Sequence, residues 1–230
     1  DTILEAVTES RKVTEQNVNL GIILLLGPLA SAPQGADPRD GVRGVLDNLD
    51  DEDCRKVYEA IRIASPGGLG SVETADVNDP PPGDLIAAME LAAERDLVAR
   101  QYVNGFEQVF CDGLDWLRES CEAGLELDSA IVRLHLQFMA SYPDSLIARK
   151  CGPETAREAA AGAARVLEGG WPEAGTEALF TELDSWLRED GNRRNPGTSA
   201  DLVAGCLFLA LRAGIIALPP ADPASGEPPA

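Results

Sequence analysis

The sequence predicts an all-α fold, in which one domain of many helices is interrupted by a single long loop. Apolar residues recur at helical spacing in the long segments, and no segment shows the apolar–polar alternation of a strand. At 230 residues the chain is long enough to bury a full core. We therefore expect eight to ten helices in a domain over residues 1–218, followed by a disordered Pro- and Ala-rich tail over 219–230.

The helices can be placed in order from this periodicity and from the Gly and Pro residues at their ends. The segment 84–122 contains no proline and is interpreted as two consecutive helices or one long kinked helix. Helix 128–142 is apolar around most of its circumference, which predicts a central position. The predicted helical segments are 2–13, 22–29, 39–49, 51–64, 84–122, 128–142, the short 146–152, 153–168, 172–189 and 202–217.

Two strongly apolar runs, 20–32 and 202–218, are expected to be buried core helices. The first is too short to span a membrane and contains Pro28, and the second is interrupted by Arg212. Asn17 and Asn19 precede the first run. They either cap its helix, as asparagine does well, or contact a ligand.

Charge and cysteine content exclude several classes of function. The 19 Lys and Arg residues against 39 Asp and Glu residues give a net charge of −20, which disfavours binding to nucleic acid or to an anionic membrane. The five cysteines form no C-x-x-C pair, which predicts a reduced compartment and a cytoplasmic protein. Because no charged n-region and apolar h-region opens the sequence, no signal peptide is expected. The oligomeric state is not predicted.

The long loop over 65–80 is the first candidate for a binding site. Its glycines allow close approach of the backbone to a ligand, and its prolines prevent a helix from continuing through it. Asp76 and Asp79 offer hard oxygen ligands, which suit Mg²⁺ held jointly with substrate phosphates. The glycines concerned are Gly67, Gly68 and Gly70.

Cationic pairs are the second candidate, because they stand out in so acidic a chain. These pairs are Arg149 with Lys150 and Arg193 with Arg194. The second pair leads directly into an apolar helix, and the N–H groups of a helix start favour an anion. The polar and turn residues at this start are Asn195, Gly197, Thr198 and Ser199. The two hydroxyl residues also suit capping of the helix, and capping is compatible with phosphate binding.

Two further features admit both a structural and a functional interpretation. His135 is the only histidine and lies on an apolar helix face, where it is either a neutral core imidazole or a catalytic or substrate-binding group. A polar stripe, formed by Asp96, Arg100, Asn104 and Gln108, is either a solvated face with an Asp–Arg pair or part of the site if the long loop covers it.

Six strings in order along the chain resemble the triphosphoribosyl-dephospho-CoA synthase family. They are NVNLGIILLL (17–26), PGGLG (66–70), DVNDP (76–80), RD (95–96) with ARQY (99–102), LIARKCG (146–152) and NPGTSADL (195–202). The resemblance covers nearly the whole chain, and six ordered motifs are more specific than any one of them. It also implies an earlier N-terminal segment with a Lys-Pro-Gly motif, and the chain is expected to begin after it.

The resemblance implies transfer of the triphosphoribosyl group of ATP to the ribose 2′-hydroxyl of 3′-dephospho-CoA, with release of adenine. In that hypothesis Asp76 and Asp79 hold Mg²⁺, and the two cationic pairs neutralise the triphosphate. Asn17, Asn19, the loop glycines and Arg100 contribute to nucleotide binding, and the turn 195–199 receives a phosphate. Asp201 or His135 is the acid–base candidate.

Two alternatives stay open from the sequence. One is a related ATP-using transferase with a different acceptor in another cofactor pathway. The other is a non-catalytic, acidic helical module for protein interaction, whose motifs are capping and packing residues. The second alternative predicts that no nucleotide binds.

Overall fold

A computed structural model describes residues 2–14, 19–35, 37–64, 79–173 and 175–217. Over these residues the chain forms α-helices and one π-helix and no strand, so the predicted all-α fold is confirmed. The helices are α1 (Thr2–Val13), α2 (Leu20–Ser31), α3 (Pro38–Asp47), α4 (Asp51–Ala64), α5 (Leu85–Ala92), α6 (Leu97–Asn104), the π-helix (Gln108–Gly113), α7 (Leu114–Glu122), α8 (Leu127–Ser141), α9 (Ser145–Cys151), α10 (Pro153–Glu168), α11 (Glu177–Asn192) and α12 (Gly197–Arg212).

The segment 84–122 is divided more finely than the sequence predicts. The side chain of Asp96 accepts hydrogen bonds from two backbone N–H groups and so starts α6, while Gly105 in the left-handed conformation (φ 67°) ends it. A turn and the π-helix then lead into α7. The segment therefore contains α5, α6, the π-helix and α7.

The core has two parts that meet at α8. The larger part joins α1 to α7 with α12, and the smaller part packs α8 against α9, α10 and α11. Phe138 of α8 is buried in the larger part, whereas Leu136 and Met139 are buried in the smaller part. The central position predicted for this helix is therefore confirmed.

The two apolar runs form α2 and α12, which pack side by side in the larger core. Leu25 and Leu29 of α2 are completely buried, and no described helix is long and apolar enough to cross a membrane. At the C-terminal end of α12, the guanidinium of Arg212 donates hydrogen bonds to the carbonyl oxygens of Leu29 (2.9 Å) and Ala32 (2.7 Å). Because the first turns of both helices also meet, as described below, α2 and α12 run parallel and begin at the same place.

Helix α12 begins five residues before the predicted start at residue 202. Its N-cap is Pro196, whose side chain cannot accept a hydrogen bond, and Thr198 and Ser199 lie buried in the first turn rather than at the cap. The expected side-chain capping of this helix by Thr198 or Ser199 is therefore wrong. The group that satisfies this helix start comes from elsewhere in the chain.

Candidate active site

The starts of four helices meet at one place in the fold. The backbone N–H of Leu97 in α6 donates to the Ser145 hydroxyl of α9 at 3.1 Å. The N–H of Ser199 in α12 donates to the Asp144 carboxylate before α9 at 2.7 Å, and the N–H of Ile22 in α2 donates to the Asp201 carboxylate of α12. The first turn of a helix carries unpaired N–H groups and partial positive charge, so this meeting point favours anions.

Asp144 fastens two of these helix starts together. One carboxylate oxygen accepts hydrogen bonds from the N–H groups of Leu146 (2.8 Å) and Ile147 (3.0 Å). The other accepts from the N–H (2.7 Å) and the hydroxyl (2.9 Å) of Ser199. With its accepting positions filled and only 1% of its surface exposed, Asp144 is a structural anchor and caps α12 in place of a local side chain.

Asp201 lies at the centre of the meeting point, against the first turn of α2. A Cβ atom at position 21 would overlap its carboxylate oxygen, so Gly21 is required for α2 to approach so closely. Burial, together with the negative charges of Asp144 and Asp96, raises the pKa of Asp201 to about 8, while the Ile22 N–H and the positive charge of Arg149 oppose the shift. A carboxyl group with this pKa exchanges its proton near neutral pH, as a general acid or base must.

Arg149 and Asp96 form an ion pair beside Asp201, with 3.4 Å between guanidinium nitrogen and carboxylate oxygen. The other oxygen of Asp96 accepts from the N–H groups that start α6. The Nε of Arg149 is buried without a hydrogen-bond partner among the described residues. Since the guanidinium presents its donors in a plane and 23% of the side chain remains exposed, Arg149 can still bind a phosphate oxygen in a fork.

The other predicted cations make their contacts elsewhere in the structure. Arg193 pairs with Asp190 and donates to the carbonyl oxygen of Lys150 at 3.1 Å. The guanidinium of Arg194 lies over the Trp186 ring, 4.4 Å from its centre. Both arginines thus hold the loop between α11 and α12 in place. The half-buried Lys150 follows Arg149 in the last turn of α9.

The predicted polar stripe on α6 is partly internal rather than solvated. Arg100 donates from Nε to the carbonyl oxygen of Ala93 at 3.0 Å, and Asn104 donates to the side chain of Gln108 at 2.9 Å. The ion partner of Asp96 is Arg149 and not Arg100. Arg100 therefore lies one turn from the meeting point and contacts the preceding turn of the chain.

His135 approaches the start of α12 from α8. Its Nε2 lies 3.3 Å from the carbonyl oxygen of Pro196, and burial lowers its pKa. Together with Asn195 it lines a half-open cleft of about 230 Å³ between α8 and α11. Asp144 is close enough to influence both the His135 imidazole and the Asp201 carboxyl, so the cleft adjoins the meeting point of the helix starts.

The remaining predicted residues contribute less to this geometry. Asn19 occupies the N-cap position of α2, but its side chain bonds to the Ser10 hydroxyl at 2.8 Å and does not cap the helix. Gly197 packs tightly against Leu146 at the start of α12. Asp79 is exposed, and the described residues contain no group of three His, Cys, Asp or Glu that could hold a metal ion. Asn17, Gly67, Gly68, Gly70 and Asp76 lie outside the described residues.

Two residues of the site, Asp144 and Gly21, were missed as candidates from the sequence, and Asp96 was considered without its partner Arg149. Asp144 follows Pro143 and precedes a short apolar helix, which is a start signal for that helix but gives no sign of its second role at α12. Asp96 belongs to the predicted polar stripe, and Gly21 appears only as part of an apolar run. Their partners are distant in the chain, so local patterns could not reveal them.

Known proteins share both the sequence pattern and this fold. The ATP:dephospho-CoA triphosphoribosyl transferase family (CitG) matches over residues 1–217. A Pseudomonas putida protein described as a 2-(5''-triphosphoribosyl)-3'-dephosphocoenzyme-A synthase is 34% identical over 110 residues, which are 47% of this chain and 39% of that protein. The match therefore spans less than half the length of this curated relative.

A solved structure supports the same relationship over a larger part of the chain. The crystal structure of an Archaeoglobus fulgidus protein described as a triphosphoribosyl-dephospho-CoA synthase superposes with a TM-score of 0.71 at 31% identity. The superposition covers 93% of this chain and 89% of that one. From the family match over nearly its whole length and from this shared fold, the chain belongs to the ATP:dephospho-CoA triphosphoribosyl transferase family.

Proposed function

We propose that the protein transfers the triphosphoribosyl group of ATP to the 2′-hydroxyl of 3′-dephospho-CoA and releases adenine. The observation that carries the proposal is the position of Asp201. A carboxyl group with a pKa of about 8 lies at the meeting point of four helix starts, beside the guanidinium of Arg149, which can bind a phosphate oxygen. Membership of the family supplies the identity of the two substrates.

The reaction exchanges one bond at the anomeric carbon of ATP for another. The bond from this carbon to the adenine nitrogen breaks, and a bond to the 2′-oxygen of the acceptor forms. The hydroxyl proton must leave the acceptor, and the departing adenine must gain one proton, so the overall reaction is balanced without another reactant. A transition state with positive charge on the ribose is stabilised by nearby carboxylates.

In this proposal some residues bind the substrates and others transfer protons. Arg149 holds the triphosphate, with Lys150, Arg193, Arg194, Gly197 and Thr198 proposed as further phosphate contacts. The ionised form of Asp201 accepts the hydroxyl proton of the acceptor, because its pKa leaves a useful fraction of both forms near neutral pH. Asp144 and Asp96 raise that pKa and position the helices. His135 is proposed to contact the departing adenine.

Mg²⁺ is proposed as the companion of ATP, since it commonly binds through substrate phosphates and one or two carboxylates. Asp76 and Asp79 are the residues proposed to contribute these carboxylates. The exposed position of Asp79 leaves its carboxylate open to such a role. No proton transfer described above depends on the metal.

Adenine release is the test of the proposed function. Chromatography would follow free adenine after the protein is mixed with ATP, Mg²⁺ and 3′-dephospho-CoA, and then with each substrate omitted. Asp201→Asn is expected to lower the rate by about 10²- to 10⁴-fold, the usual contribution of a general acid or base. Asp115→Asn, which alters an exposed ion pair on α7, is the matched control and should leave the rate unchanged.

The outcomes separate the proposal from its alternatives. ATP binding without adenine release would favour a transferase with another acceptor. A thermal shift assay with Mg-ATP that shows no stabilisation would favour the interaction module, because a ligand at 100 times its Kd should stabilise by about 2.7 kcal/mol.

A further inference from the structure

A second feature beside the proposed triphosphate site is the half-open cleft between α8 and α11. It is closed at one end by the loop that leads into α12, and its volume is about 230 Å³. Sites for drug-sized ligands begin at about 300 Å³. The cleft is therefore suited to one ring system and is too small for a whole nucleotide. Its apolar wall includes Leu136, Met139, Phe180 and Leu183.

The charges around the cleft select an uncharged ligand. Arg188 and Asp184 both line it, but they form an ion pair with 2.7 Å between nitrogen and oxygen and so largely cancel each other. Burial lowers the pKa of His135, which keeps the imidazole neutral near pH 7. A triphosphate would find no net positive charge here.

The polar groups at the rim suit the edge of an aminopurine. If Nε2 of His135 donates its hydrogen to the carbonyl oxygen of Pro196, at 3.3 Å, its Nδ1 is left as an acceptor. Asn192 and Asn195 add amide groups, which both donate and accept. Adenine presents an exocyclic amino donor beside ring-nitrogen acceptors, and proteins bind bases by such edge contacts between apolar walls.

The backbone at this rim adopts an unusual conformation. Asp190, Gly191 and Asn192 have φ values of 56°, 67° and 61°, in the left-handed region that residues with a side chain seldom adopt. These residues turn the end of α11 back toward α12 and bring Asn192 and Asn195 to the cleft. Left-handed non-glycine residues cost free energy and are common at ligand-binding sites.

We propose that this cleft binds the adenine ring of ATP and retains it as the leaving group. The inference rests on the proposed function, which requires an adenine site next to the triphosphate site. Pro196 provides the link, since it accepts from His135 and immediately precedes the first turn of α12. In this arrangement Asp201 serves the acceptor hydroxyl, whereas His135 and the amides serve the base.

Binding of free adenine tests the inference without turnover. Isothermal titration would give the Kd of adenine for the unaltered protein and for His135→Phe, which keeps the ring but removes its hydrogen bonds. Asn195→Ala is a second variant at an exposed loop position, where folding is little affected. Each is expected to weaken adenine binding at least about tenfold, which corresponds to 1.4 kcal/mol. Leu179→Ala, on α11 but 37% exposed and outside the cleft, is the control.

Each possible result either supports or overturns the inference. Weaker adenine binding in both variants, with unchanged binding in the control and unchanged circular dichroism, supports it. No adenine binding to the unaltered protein, or equal binding to all variants, overturns it. Binding of pantetheine that the variants weaken, without an effect on adenine, also overturns it and assigns the cleft to the acceptor.

Failure of this inference can be distinguished from failure of the proposed function. Adenine binding that depends on the cleft, combined with no release of adenine from ATP, would refute the transfer reaction and leave the cleft assignment intact. Adenine release that requires 3′-dephospho-CoA but does not change in His135→Phe or Asn195→Ala would support the transfer reaction and refute the cleft assignment.

Discussion

Replacing Asp201 with asparagine is expected to stabilise the protein at neutral pH while it removes activity. The pKa of this carboxyl rises from 3.8, its ordinary value, to about 8 in the folded protein, chiefly through burial. In the unfolded chain the group is ionised at pH 7, whereas in the folded protein it is mostly protonated. The native state must therefore keep a proton that the unfolded state has released.

The sign of the effect follows from this difference in proton binding. A carboxyl whose pKa is raised in the folded protein makes a favourable contribution to the free energy of unfolding. This contribution is fully present below pH 3.8 and is lost as the pH rises toward 8. The loss is about 1.4 kcal/mol per pH unit within that interval, so it reaches about 4 kcal/mol at pH 7. Asparagine does not titrate, and its side-chain oxygen can still accept from the Ile22 N–H.

Urea unfolding of both proteins, followed by circular dichroism at several pH values, measures this difference. The free energy of unfolding of Asp201→Asn minus that of the unaltered protein should grow by about 4 kcal/mol between about pH 5 and pH 8. The other titrating groups are shared by the two proteins, so most of their contributions cancel. The exposed control Asp115→Asn should stay within about 0.5 kcal/mol of the unaltered protein at every pH.

A difference that does not change with pH would refute the reasoning. It would mean that the Asp201 carboxyl titrates at its ordinary value in the folded protein. The interpretation of Asp201 as a group that exchanges its proton near neutral pH would then lose its physical basis, whatever the activity of the variant.

Substitutions at three further positions test the other parts of the site. Gly21→Ala places a methyl group against the Asp201 carboxylate, so urea unfolding should show a loss of about 1–3 kcal/mol and adenine release should fall at least tenfold. Arg149→Gln should raise the KM for ATP at least about tenfold, whereas Arg149→Lys should recover only part of the loss, because an ammonium lacks the planar fork; equal KM values in all three proteins would contradict the assignment. In Asp144→Asn only one good acceptor oxygen is left for four donors, so the free energy of unfolding should fall by at least about 2 kcal/mol. A loss below about 0.5 kcal/mol would contradict the role of Asp144 as an anchor.

The fold was predictable because helical periodicity is a local property of the chain. The two apolar runs gave α2 and α12, and the apolar circumference of 128–142 gave a central α8. The start of α12 was misplaced because Thr198 and Ser199 resemble local caps. The capping carboxylate belongs to Asp144, 55 residues earlier in the chain, and only the folded structure brings it there.

The residues of the site were easier to predict from the sequence than their arrangement in space. The sequence indicated Asp201, Arg149 and His135 as candidates, and the structure places the first two beside each other and the third in the adjoining cleft. The environment that raises the pKa of Asp201 comes from helix starts separated by long stretches of chain, including Asp96 and Asp144. Such environments depend on tertiary contacts, which a single sequence does not encode as a local pattern.

The most direct test of the account is release of adenine from ATP by the unaltered protein and by Asp201→Asn, with and without 3′-dephospho-CoA. We expect adenine to appear with the unaltered protein only when the acceptor is present, in amounts equal to the triphosphoribosylated product. We expect the variant to bind ATP but to release adenine at least about 10²-fold more slowly. Adenine release at the same rate by the variant, or release that does not depend on the acceptor, would contradict the account.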